Sequence, residues 1–471
     1  MTALRSVTAS ATPSRRRTSR LILARVGGGI STVRYGFDDR SRRSSQKAYR
    51  RRTEPTHERR LRAIPTVNPT IALECTLCGR VFVPDTERHV CPDHDGVGGI
   101  LDVQYDQAGA RDAVVDRLDD PIADLWDLAP LLPTDGNAID LGAGGTPLLS
   151  APTLSDQLGV TVHLKDERGN PTGSIKDRAS AVLASRALAS DQSVITCAST
   201  GNAAASLAGY AARTGLDCCI FVPADVPEGK AVQPLVYGAD VYAVDGDYDD
   251  AFSLCRAVSE QRNWYDCSAA VNPYAVEGLR TVGHELARQT HETVPDWVVY
   301  PMGNGCGLAA TWKGFDEFVN LGIVDDRPRM LGVQADGASA IHEQFSPDSD
   351  EATDPNATTQ ADSIDVRKPH NARKACRALD ASDGATVAVS DDEILDAERT
   401  LGRTEGVYAE PASAATLAGL QRAVDQGLVA PGDHIVLVVT GTGLKDTASA
   451  RTLVDGVEHV PHSPDAIPER E

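Results

Sequence analysis

Short apolar runs alternate with longer amphipathic, alanine-rich stretches between about residue 100 and residue 440. The run at 194–197 has the length of a buried strand, and the stretch at 202–214 has apolar positions at helical spacing. The same pattern predicts strands at 217–222, 240–244, 297–300, 330–334 and 435–439, and helices at 177–188, 232–237, 248–261, 308–318, 391–403 and 411–426. Such alternation is typical of parallel sheets covered by helices on both faces, so we predict an α/β fold with αβα layers.

Both ends of the chain and one internal stretch break this pattern. Residues 1–66 are rich in Arg and poor in apolar clusters, and we expect them to form a disordered extension. The Asp-, Pro- and Thr-rich stretch at 346–371 predicts a mobile loop, and 456–471 predicts a flexible tail. Between the extension and the tail we expect a small module at 67–100 and a core at 101–455 that holds two αβα subdomains.

Charge separates the extension from the rest of the chain. Residues 1–62 carry 17 Lys and Arg against 4 Asp and Glu, a net charge of +13, so the whole-chain value of −21 leaves −34 on the remaining 409 residues. This acidic body argues against a nucleic-acid binder, because phosphates require a basic face. Its many Asp and few Lys resemble the composition of proteins from extreme halophiles. The extension is open to three interpretations, which are a start codon assigned too far upstream, a disordered tail and a targeting segment.

The remaining composition indicates an ordinary globular protein, with 41% hydrophobic and 24% charged residues. No stretch approaches the ~20 apolar residues that a membrane span requires, so we expect no membrane insertion. Seven of the 10 Cys lie within apolar or helical patterns, as expected of small buried side chains in a reduced cytoplasm.

The other three Cys belong to a motif of metal-ligand type. Cys75 and Cys78 are followed by Cys91 and His94, with the spacing C-x2-C-x12-C-x2-H of a zinc ribbon. Two-residue spacing lets both thiolates of a turn reach one tetrahedral ion, and four ligands close its coordination shell. We therefore predict a structural zinc knuckle at 67–100. A remnant knuckle without metal, or a reduced pair of Cys, is the alternative.

A candidate nucleophile follows an Asn-Pro-Thr-Gly turn. Lys176 falls in the first turn of the helix predicted at 177–188, and Ser174 is placed to cap that helix. A helix N-terminus lowers the pKa of an amine, and an uncharged Lys at such a turn can form a Schiff base. Considered alone, the position of Lys176 favours the plain alternative, a surface Lys near a helix start.

Three further motifs follow predicted strands. Asn202 ends the segment Ser199-Thr200-Gly201-Asn202 and offers a side-chain amide, and Thr440 could give a neutral hydrogen bond to a heteroaromatic nitrogen. A glycine loop after the strand at 297–300 can present a nest of backbone N–H groups to a phosphate, and its residues are Gly303, Asn304, Gly305, Cys306 and Gly307. Each motif has a plain structural alternative, a tight turn or a strand-end Thr.

An amine nucleophile, a phosphate cup and partners for a ring edge, each at a strand end, are what pyridoxal phosphate requires. At this point the chain resembles the threonine synthase family of fold-type II pyridoxal-phosphate enzymes. The resemblance covers roughly 70–455, and its marks are the segments GNPTGSIKDR, CASTGNAAAS, VNPYAVEG, PMGNGCGLAATWKGF, EPASAA and TGTGLKD.

The resemblance implies roles for these residues. Lys176 would carry the cofactor as an aldimine, Asn202 would bond the ring 3′ oxygen, and Thr440 would face the pyridine nitrogen. The residues at 303–307 would hold the cofactor phosphate. The implied reaction converts O-phospho-L-homoserine and water to L-threonine and phosphate, and the family suggests a homodimer.

The sequence departs from the family near the substrate. Ala275 stands where many members have a basic residue, Ala203 stands where a hydroxyl is frequent, and the segment at 361–365 resembles deaminases of this fold. The candidates for binding the small amino-acid substrate are Lys165, Arg178, Ser199 and Thr200, with Arg280 or Lys368 closing over it. Two alternatives to threonine synthase are a serine/threonine deaminase or other β-replacement enzyme, and a zinc-ribbon binding protein with a degenerate enzyme body.

Overall fold

The computed structural model describes residues 61–64, 70–84, 88–106, 111, 114, 121–134, 136–226, 228–346 and 358–467. The predicted disordered extension lies outside these residues except for 61–64, and so do residues 347–357 of the predicted mobile loop and the last four residues of the predicted tail. Within the described part of the chain, no helix has the length and apolar character needed to cross a membrane.

The regular elements are distributed along the whole described chain. Strands β1–β15 lie at Leu61–Ala63, Thr70–Cys75, Val81–Phe82, Leu101–Tyr105, Asn137–Ile139, Leu148–Ser150, Thr161–Asp166, Val194–Ala198, Asp217–Pro223, Asp240–Val244, Tyr265–Asp266, Trp297–Pro301, Arg329–Ala335, Ala385–Val389 and His434–Val439. Helices α1–α12 lie at Pro152–Leu158, Lys176–Ala189, Asn202–Thr214, Glu228–Val236, Tyr248–Arg262, Pro273–Gln289, Cys306–Asn320, Ala340–Phe345, Ala372–Ala381, Asp391–Glu405, Pro411–Asp425 and Thr447–Arg451.

Two parallel sheets form the body, which confirms the predicted α/β architecture. One sheet has the strand order β10-β9-β8-β11 with all strands parallel. The other has the order β14-β13-β12-β15-β7-β6, in which β6 alone runs antiparallel to its neighbour. Strands such as β9 and β15 are buried along nearly their whole length. That burial is why they read as continuous apolar runs rather than as alternating patterns.

The predicted chemical motifs follow the carboxyl ends of these strands. β8 ends at Ala198, just before α3 begins at Asn202, and β12 ends at Pro301, just before α7 begins at Cys306. β15 ends at Val439 beside β12 in the same sheet. In open α/β sheets, ligands bind in the crevice outside these strand ends, so the fold places the motifs where a site is expected.

Two small antiparallel sheets flank this body. β2, β3 and β4 form a three-stranded sheet that carries the predicted zinc knuckle, and β1 pairs with β5. The described residues belong to one compact unit, of which both small sheets are parts. Residues 61–64 therefore differ from the disordered extension predicted for them, because β1 exchanges backbone hydrogen bonds with β5 in the acidic body.

Candidate active site

The segment that carries Lys176 is joined to the end of β15. Ser174 and Gly441 form an isolated antiparallel bridge, Ile175 N donates to Thr440 O at 2.8 Å, and Thr442 N donates to Gly173 O at 3.1 Å. Gly173 has a φ of +89°, a conformation that favours glycine. These bonds hold the start of α2, and with it Lys176, beside Thr440.

The predicted cap of α2 is wrong. Ile175 occupies the N-cap position without a side-chain hydrogen bond, and Ser174 Oγ is buried with no partner among the described residues. The Asp177 carboxylate holds this turn instead, since it accepts from Thr172 N at 2.7 Å and from Thr172 Oγ1 at 2.8 Å. The bridge to β15 fixes the backbone of Ser174, so its hydroxyl does not turn back toward the helix.

The Lys176 amine is half-buried and has no hydrogen bond or ion pair within the described part of the chain. Its charge acts on Glu410 and on Cys306, lowering the pKa of each against the larger effect of burial, which raises both. Lys176 therefore lies near both the Glu410 carboxyl and the first residue of α7.

Asn202 and Glu410 form a buried polar pair next to Lys176. Asn202 Nδ2 donates to the Glu410 carboxylate oxygens at 2.9 and 3.0 Å and to Ser363 Oγ at 3.2 Å. Burial raises the pKa of Glu410, although the bond from Asn202 lowers it in part. A side chain at Gly441 would meet the Glu410 carboxyl at 2.5 Å, so the carboxyl would have to shift to accommodate it.

Thr440 is bonded to a Ser that the sequence analysis does not assign. The hydroxyl oxygens of Thr440 and Ser413 lie 2.9 Å apart, and Gly441 N donates to Ser413 Oγ at 2.8 Å. Ser413 lies in the EPASAA segment, near the start of α11. That segment was recognised as a family mark, but the mark gave no reason to single out its Ser.

The glycine loop at 303–307 opens α7 without a side-chain cap. Gly305 is the N-cap residue with a φ of +84°, and a side chain at Gly307 would collide with the Tyr300 ring. Asn304 is held in place because Asn371 N donates to its carbonyl at 3.1 Å and His370 N to its side-chain oxygen at 3.2 Å. First-turn N–H groups have no intrahelical acceptor, so this end of α7 can bind an anion.

Lys165 and Arg178 do not reach the candidate site, which corrects the expectation that they bind substrate. Both side chains are fully buried. Lys165 Nζ lies 2.7 Å from Glu285, and Arg178 lies 2.7 Å from Glu167 and 2.6 Å from Glu285. Buried charges require such partners. Because these carboxylates pair with the charged groups of Lys165 and Arg178, neither side chain is available to a substrate.

The two cations expected to close over the substrate are also paired elsewhere. Arg280 is fully buried and lies 2.9 Å from Glu317. Lys368 is exposed at the surface and lies 2.6 Å from Asp249. Of the predicted substrate residues, Ser199 and Thr200 remain at the site, half-buried in the turn before Asn202.

A cavity beside Asn202 and Glu410 contains residues that the sequence analysis missed. Its lining includes two lysines, a glutamine, an aspartate and a serine, namely Lys230, Lys445, Gln233, Asp362 and Ser363. Lys445 belongs to the TGTGLKD segment, in which the sequence analysis gives a role only to Thr440. Lys230 lies on a helix with no motif around it, so the sequence offered no signal for it.

The structure brings the four predicted metal-ligand residues together. The candidate ligand atoms of Cys75, Cys78, Cys91 and His94 all lie within 4.8 Å of one another. His94 Nε2 is buried without a partner among the described residues, and a side chain at Gly99 would collide with His94 and Cys91. Burial raises the pKa of the Cys75 thiol, but hydrogen bonds from the N–H groups of the following turn and from the Cys78 and Cys91 side chains together bring that pKa below its usual value. Three thiols and an imidazole in this arrangement fit a tetrahedral zinc ion.

Comparison with known proteins defines the class first. Residues 139–441 match the family model described as pyridoxal-phosphate dependent enzyme. The solved structure of a threonine deaminase from T.th. superposes with a TM-score of 0.54 at 25% identity, covering 63% of this chain and 92% of that one. Together with the strand-end site around Lys176, these matches define a pyridoxal-phosphate-dependent enzyme of fold type II.

Curated relatives identify the family within this class of enzymes. A threonine synthase of Methanocaldococcus jannaschii is 38% identical over 382 residues, which are 80% of this chain and 93% of the relative. A threonine synthase of Mycobacterium tuberculosis is 40% identical over 365 residues, which are 77% of this chain and 95% of the relative. The chain belongs to the threonine synthase family, which confirms the resemblance seen in the sequence.

The residues present fit this cofactor. Lys176 offers an amine that no described residue pairs, the glycine loop offers an uncapped helix start, and Thr440 offers a hydroxyl at the end of β15. For a bound cofactor, these three features would supply an attachment point, a phosphate cup and a partner for the ring nitrogen. Asn202 adds a side-chain amide beside Glu410.

Proposed function

We propose that this protein catalyses the conversion of O-phospho-L-homoserine and water to L-threonine and phosphate. One observation carries the proposal: Lys176 begins α2 with an amine unpaired by any described residue, held by the bridge to β15 near Glu410 and the start of α7. The identity of 38% with a curated threonine synthase over 80% of the chain supports the same substrate.

Each proposed role follows from the position of the residue. Pyridoxal phosphate, when bound, supplies an electron sink that acidifies the Cα–H of an amino acid. Lys176 would hold it covalently through Nζ and would move protons at Cα and Cβ of the substrate. Asn202 would donate to the ring 3′ oxygen, Thr440 would donate to the ring nitrogen, and the backbone N–H groups at 303–307 would bind its phosphate.

The proposed hydrogen bond from Thr440 also determines the protonation state of the ring nitrogen. A neutral hydroxyl such as that of Thr440 cannot stabilise a positive charge on the ring nitrogen as a carboxylate would. The ring nitrogen would therefore remain unprotonated, which moderates the electron sink. Glu410 is a buried carboxyl near Lys176. It does not provide a charge for the ring nitrogen in this proposal, because it accepts from Asn202 and burial raises its pKa.

We further propose a structural zinc ion at the knuckle. Its ligands would be Cys75, Cys78, Cys91 and His94, whose donor atoms lie within 4.8 Å of one another. Four protein ligands close a tetrahedral shell, so the metal would stabilise β2–β4 and would have no position open for substrate.

The proposal includes the salt conditions, the cellular compartment and the oligomeric state of the enzyme. An acidic body with net charge −34 would remain hydrated in concentrated salt, and seven Cys outside the knuckle suit a reducing cytoplasm. The family relationship supports a homodimer. Sedimentation in low and high salt would measure both the assembly and its salt dependence.

A serine/threonine deaminase is the second candidate, and one observation favours it. Ala275, at the position where a basic residue was expected, is fully buried, and the cations Lys165, Arg178 and Arg280 are buried in ion pairs. A deaminase would need no cation for a second phosphate.

Product analysis separates the two reactions. The purified protein loaded with pyridoxal phosphate is given phosphohomoserine, threonine or serine in separate reactions. Release of phosphate and threonine from phosphohomoserine supports the proposal. Release of 2-oxobutanoate from threonine, without use of phosphohomoserine, would establish the deaminase.

A further inference from the structure

Two lysines line the cavity beside Asn202, and neither has a role in the site as described so far. Lys230 lies on α4, and Lys445 ends the short turn Gly443–Lys445 after β15. They reach the same cavity from these two separate elements, and Asn202 and Glu410 line it as well.

Lys230 has an exchangeable partner. Its Nζ lies 2.7 Å from Asp362 Oδ2, and the two side chains are 18% and 40% exposed. An ion pair this open to solvent contributes little stability, so a stronger anion can replace the carboxylate. Asp362 belongs to the segment at 361–365, whose sequence resembles deaminases of this fold.

Lys445 has neutral partners only. Its Nζ donates to Thr172 O and to Gln233 Oε1, each at 2.9 Å, and it makes no ion pair within the described residues. An ammonium group has three donors, so one N–H and the net charge remain available to a ligand. Burial lowers the pKa of Lys445, which is the expected effect of a cation without a direct counter-ion.

The substrate brings an anion that needs such groups. Phosphohomoserine carries a phosphate in addition to that of the cofactor, and two phosphates close together repel. Charge-assisted hydrogen bonds to phosphate are stronger than neutral ones, so a second phosphate requires its own cations. Lys165, Arg178 and Arg280 are unable to provide them, because they are fully buried and paired.

We propose that Lys230 and Lys445 bind the phosphate group of the substrate, and that this phosphate displaces Asp362 from Lys230. The inference rests on the proposed function, whose substrate it locates. Asp362 then determines specificity, because a ligand that lacks a phosphate cannot compete with its carboxylate. The two lysines would contact the phosphate, which is the leaving group of the reaction, whereas Asp362 would act only by competing with it for Lys230.

Steady-state kinetics of the holoenzyme with phosphohomoserine tests the proposal. Lys230→Gln and Lys445→Gln should each raise KM about tenfold or more, with the absorbance of the bound cofactor unchanged. Asp362→Asn should lower KM severalfold, since it removes the competing carboxylate. Lys368→Gln is the matched control, because it removes an exposed lysine of similar pairing outside the cavity, and its KM should stay at the wild-type value.

Binding of inorganic phosphate and of L-threonine shows whether the two lysines bind the phosphate or the carboxylate of the substrate. Phosphate inhibition should weaken in both lysine variants and strengthen in Asp362→Asn. L-Threonine has a carboxylate but no phosphate, so its binding should be the same in all variants. If threonine binding falls as much as phosphate binding, the lysines bind the carboxylate and the proposal is overturned.

Failure of the inference is distinguishable from failure of the proposed function. If wild-type protein uses phosphohomoserine and both lysine variants keep its KM, the cavity does not bind the phosphate. If Asp362→Asn leaves KM unchanged while the lysine variants raise it, displacement of Asp362 is wrong. If wild-type protein does not use phosphohomoserine, the proposed function fails, and inhibition of the observed reaction by inorganic phosphate still decides whether the lysines bind it.

Discussion

The hydroxyl oxygens of Ser413 and Thr440 lie 2.9 Å apart at the end of β15. Either hydroxyl can be the donor in this bond, and Ser413 Oγ also accepts from Gly441 N at 2.8 Å. If Thr440 gives its one proton to a ring nitrogen, its oxygen is left to accept the proton of Ser413. In that arrangement the Ser413 hydroxyl supports the direction in which Thr440 donates.

Replacing Ser413 should weaken the bond that Thr440 offers to the cofactor. Ser413→Ala removes the donor, so Thr440 can rotate, and we expect cofactor affinity to fall about 2- to 10-fold, the value of one hydrogen bond. Absorbance titration of the apoprotein with pyridoxal phosphate measures it. Ser413→Thr keeps the hydroxyl and is the control. Equal affinity of wild type and Ser413→Ala would show that Thr440 needs no support.

Borohydride reduction of the holoenzyme should fix the cofactor to Lys176. The Lys176 amine, unpaired by the described residues, is available for a Schiff base, whereas Lys165 is held by Glu285 at 2.7 Å with no exposed surface. Peptide mapping by mass spectrometry locates the label, and Lys176→Ala should remain unlabelled. A label on Lys165 or Lys230 would contradict the assignment.

Truncation should be tolerated up to β1 and no further. Arg62, at the centre of β1, lies 3.2 Å from Asp127 and 3.5 Å from Asp140, and it also pairs with Asp124. A chain that starts at residue 57 should keep wild-type stability, because it retains β1. A chain that starts at residue 67 loses these bonds and the β1–β5 ladder, which should lower the free energy of unfolding by about 1–3 kcal/mol.

Denaturant unfolding of both truncated chains and of Arg62→Ala provides the measurement. Arg62→Ala should account for part of the loss seen in the shorter chain. If the chain that starts at residue 67 is as stable as the one that starts at residue 57, β1 contributes nothing to the fold.

Metal analysis of purified protein should find one zinc ion per chain. Cys91→Ser should abolish zinc binding and lower the melting temperature, since a closed four-ligand site contributes folding free energy directly. Cys376→Ser, which changes a half-buried Cys outside the knuckle, is the control. A metal content near zero, with a melting temperature that chelators do not change, would leave the knuckle without a metal.

Glu398 should make stability depend on pH. Its carboxyl oxygens are buried without a partner among the described residues, and burial raises its pKa to about 7 from the usual 4.5. The folded state therefore retains a proton that the unfolded state loses. As a result, the free energy of unfolding falls as pH rises from the unfolded to the folded pKa, then stays level.

Comparison of wild type with Glu398→Gln isolates this effect. The amide cannot ionise, so the variant should gain roughly 1–3 kcal/mol over wild type at pH 8 and little or nothing at pH 4.5. Denaturant midpoints across this pH range measure the difference. Parallel curves for the two proteins would show that Glu398 stays ionised in the fold.

The sequence predicted those elements whose signal is local. The helix at 202–214 and the strand at 240–244 have the predicted bounds, because apolar spacing and a following Gly mark their ends. The helix predicted at 308–318 begins at Cys306 instead, since glycines in the loop hide the first turn. The helix Pro273–Gln289 was missed although apolar side chains recur along it at helical spacing, since its first residues were identified only as the motif VNPYAVEG.

The candidate substrate residues could not be predicted in the same way. Arg178 lies in a family mark, but whether it faces a ligand depends on Glu285, which is 107 residues further along the chain. The availability of Lys230 to a ligand likewise depends on Asp362, which lies on a different element. A cofactor motif is contiguous and can be recognised, whereas the charge of a cavity is set by partners that only the fold brings together.

The buried group formed by Lys165, Glu167, Arg178 and Glu285 has a consequence for ionic strength. In 1 M salt the Debye length is about 3 Å, so solvent-exposed charges are largely screened from one another, whereas buried ion pairs are screened much less. Salt therefore has little effect on the ion pairs of this group, which includes Arg178 of the helix that Lys176 begins. Near the site, the Lys230–Asp362 pair is partly open to solvent, so electrolyte would act on substrate capture there while the interactions of the buried group stay unchanged.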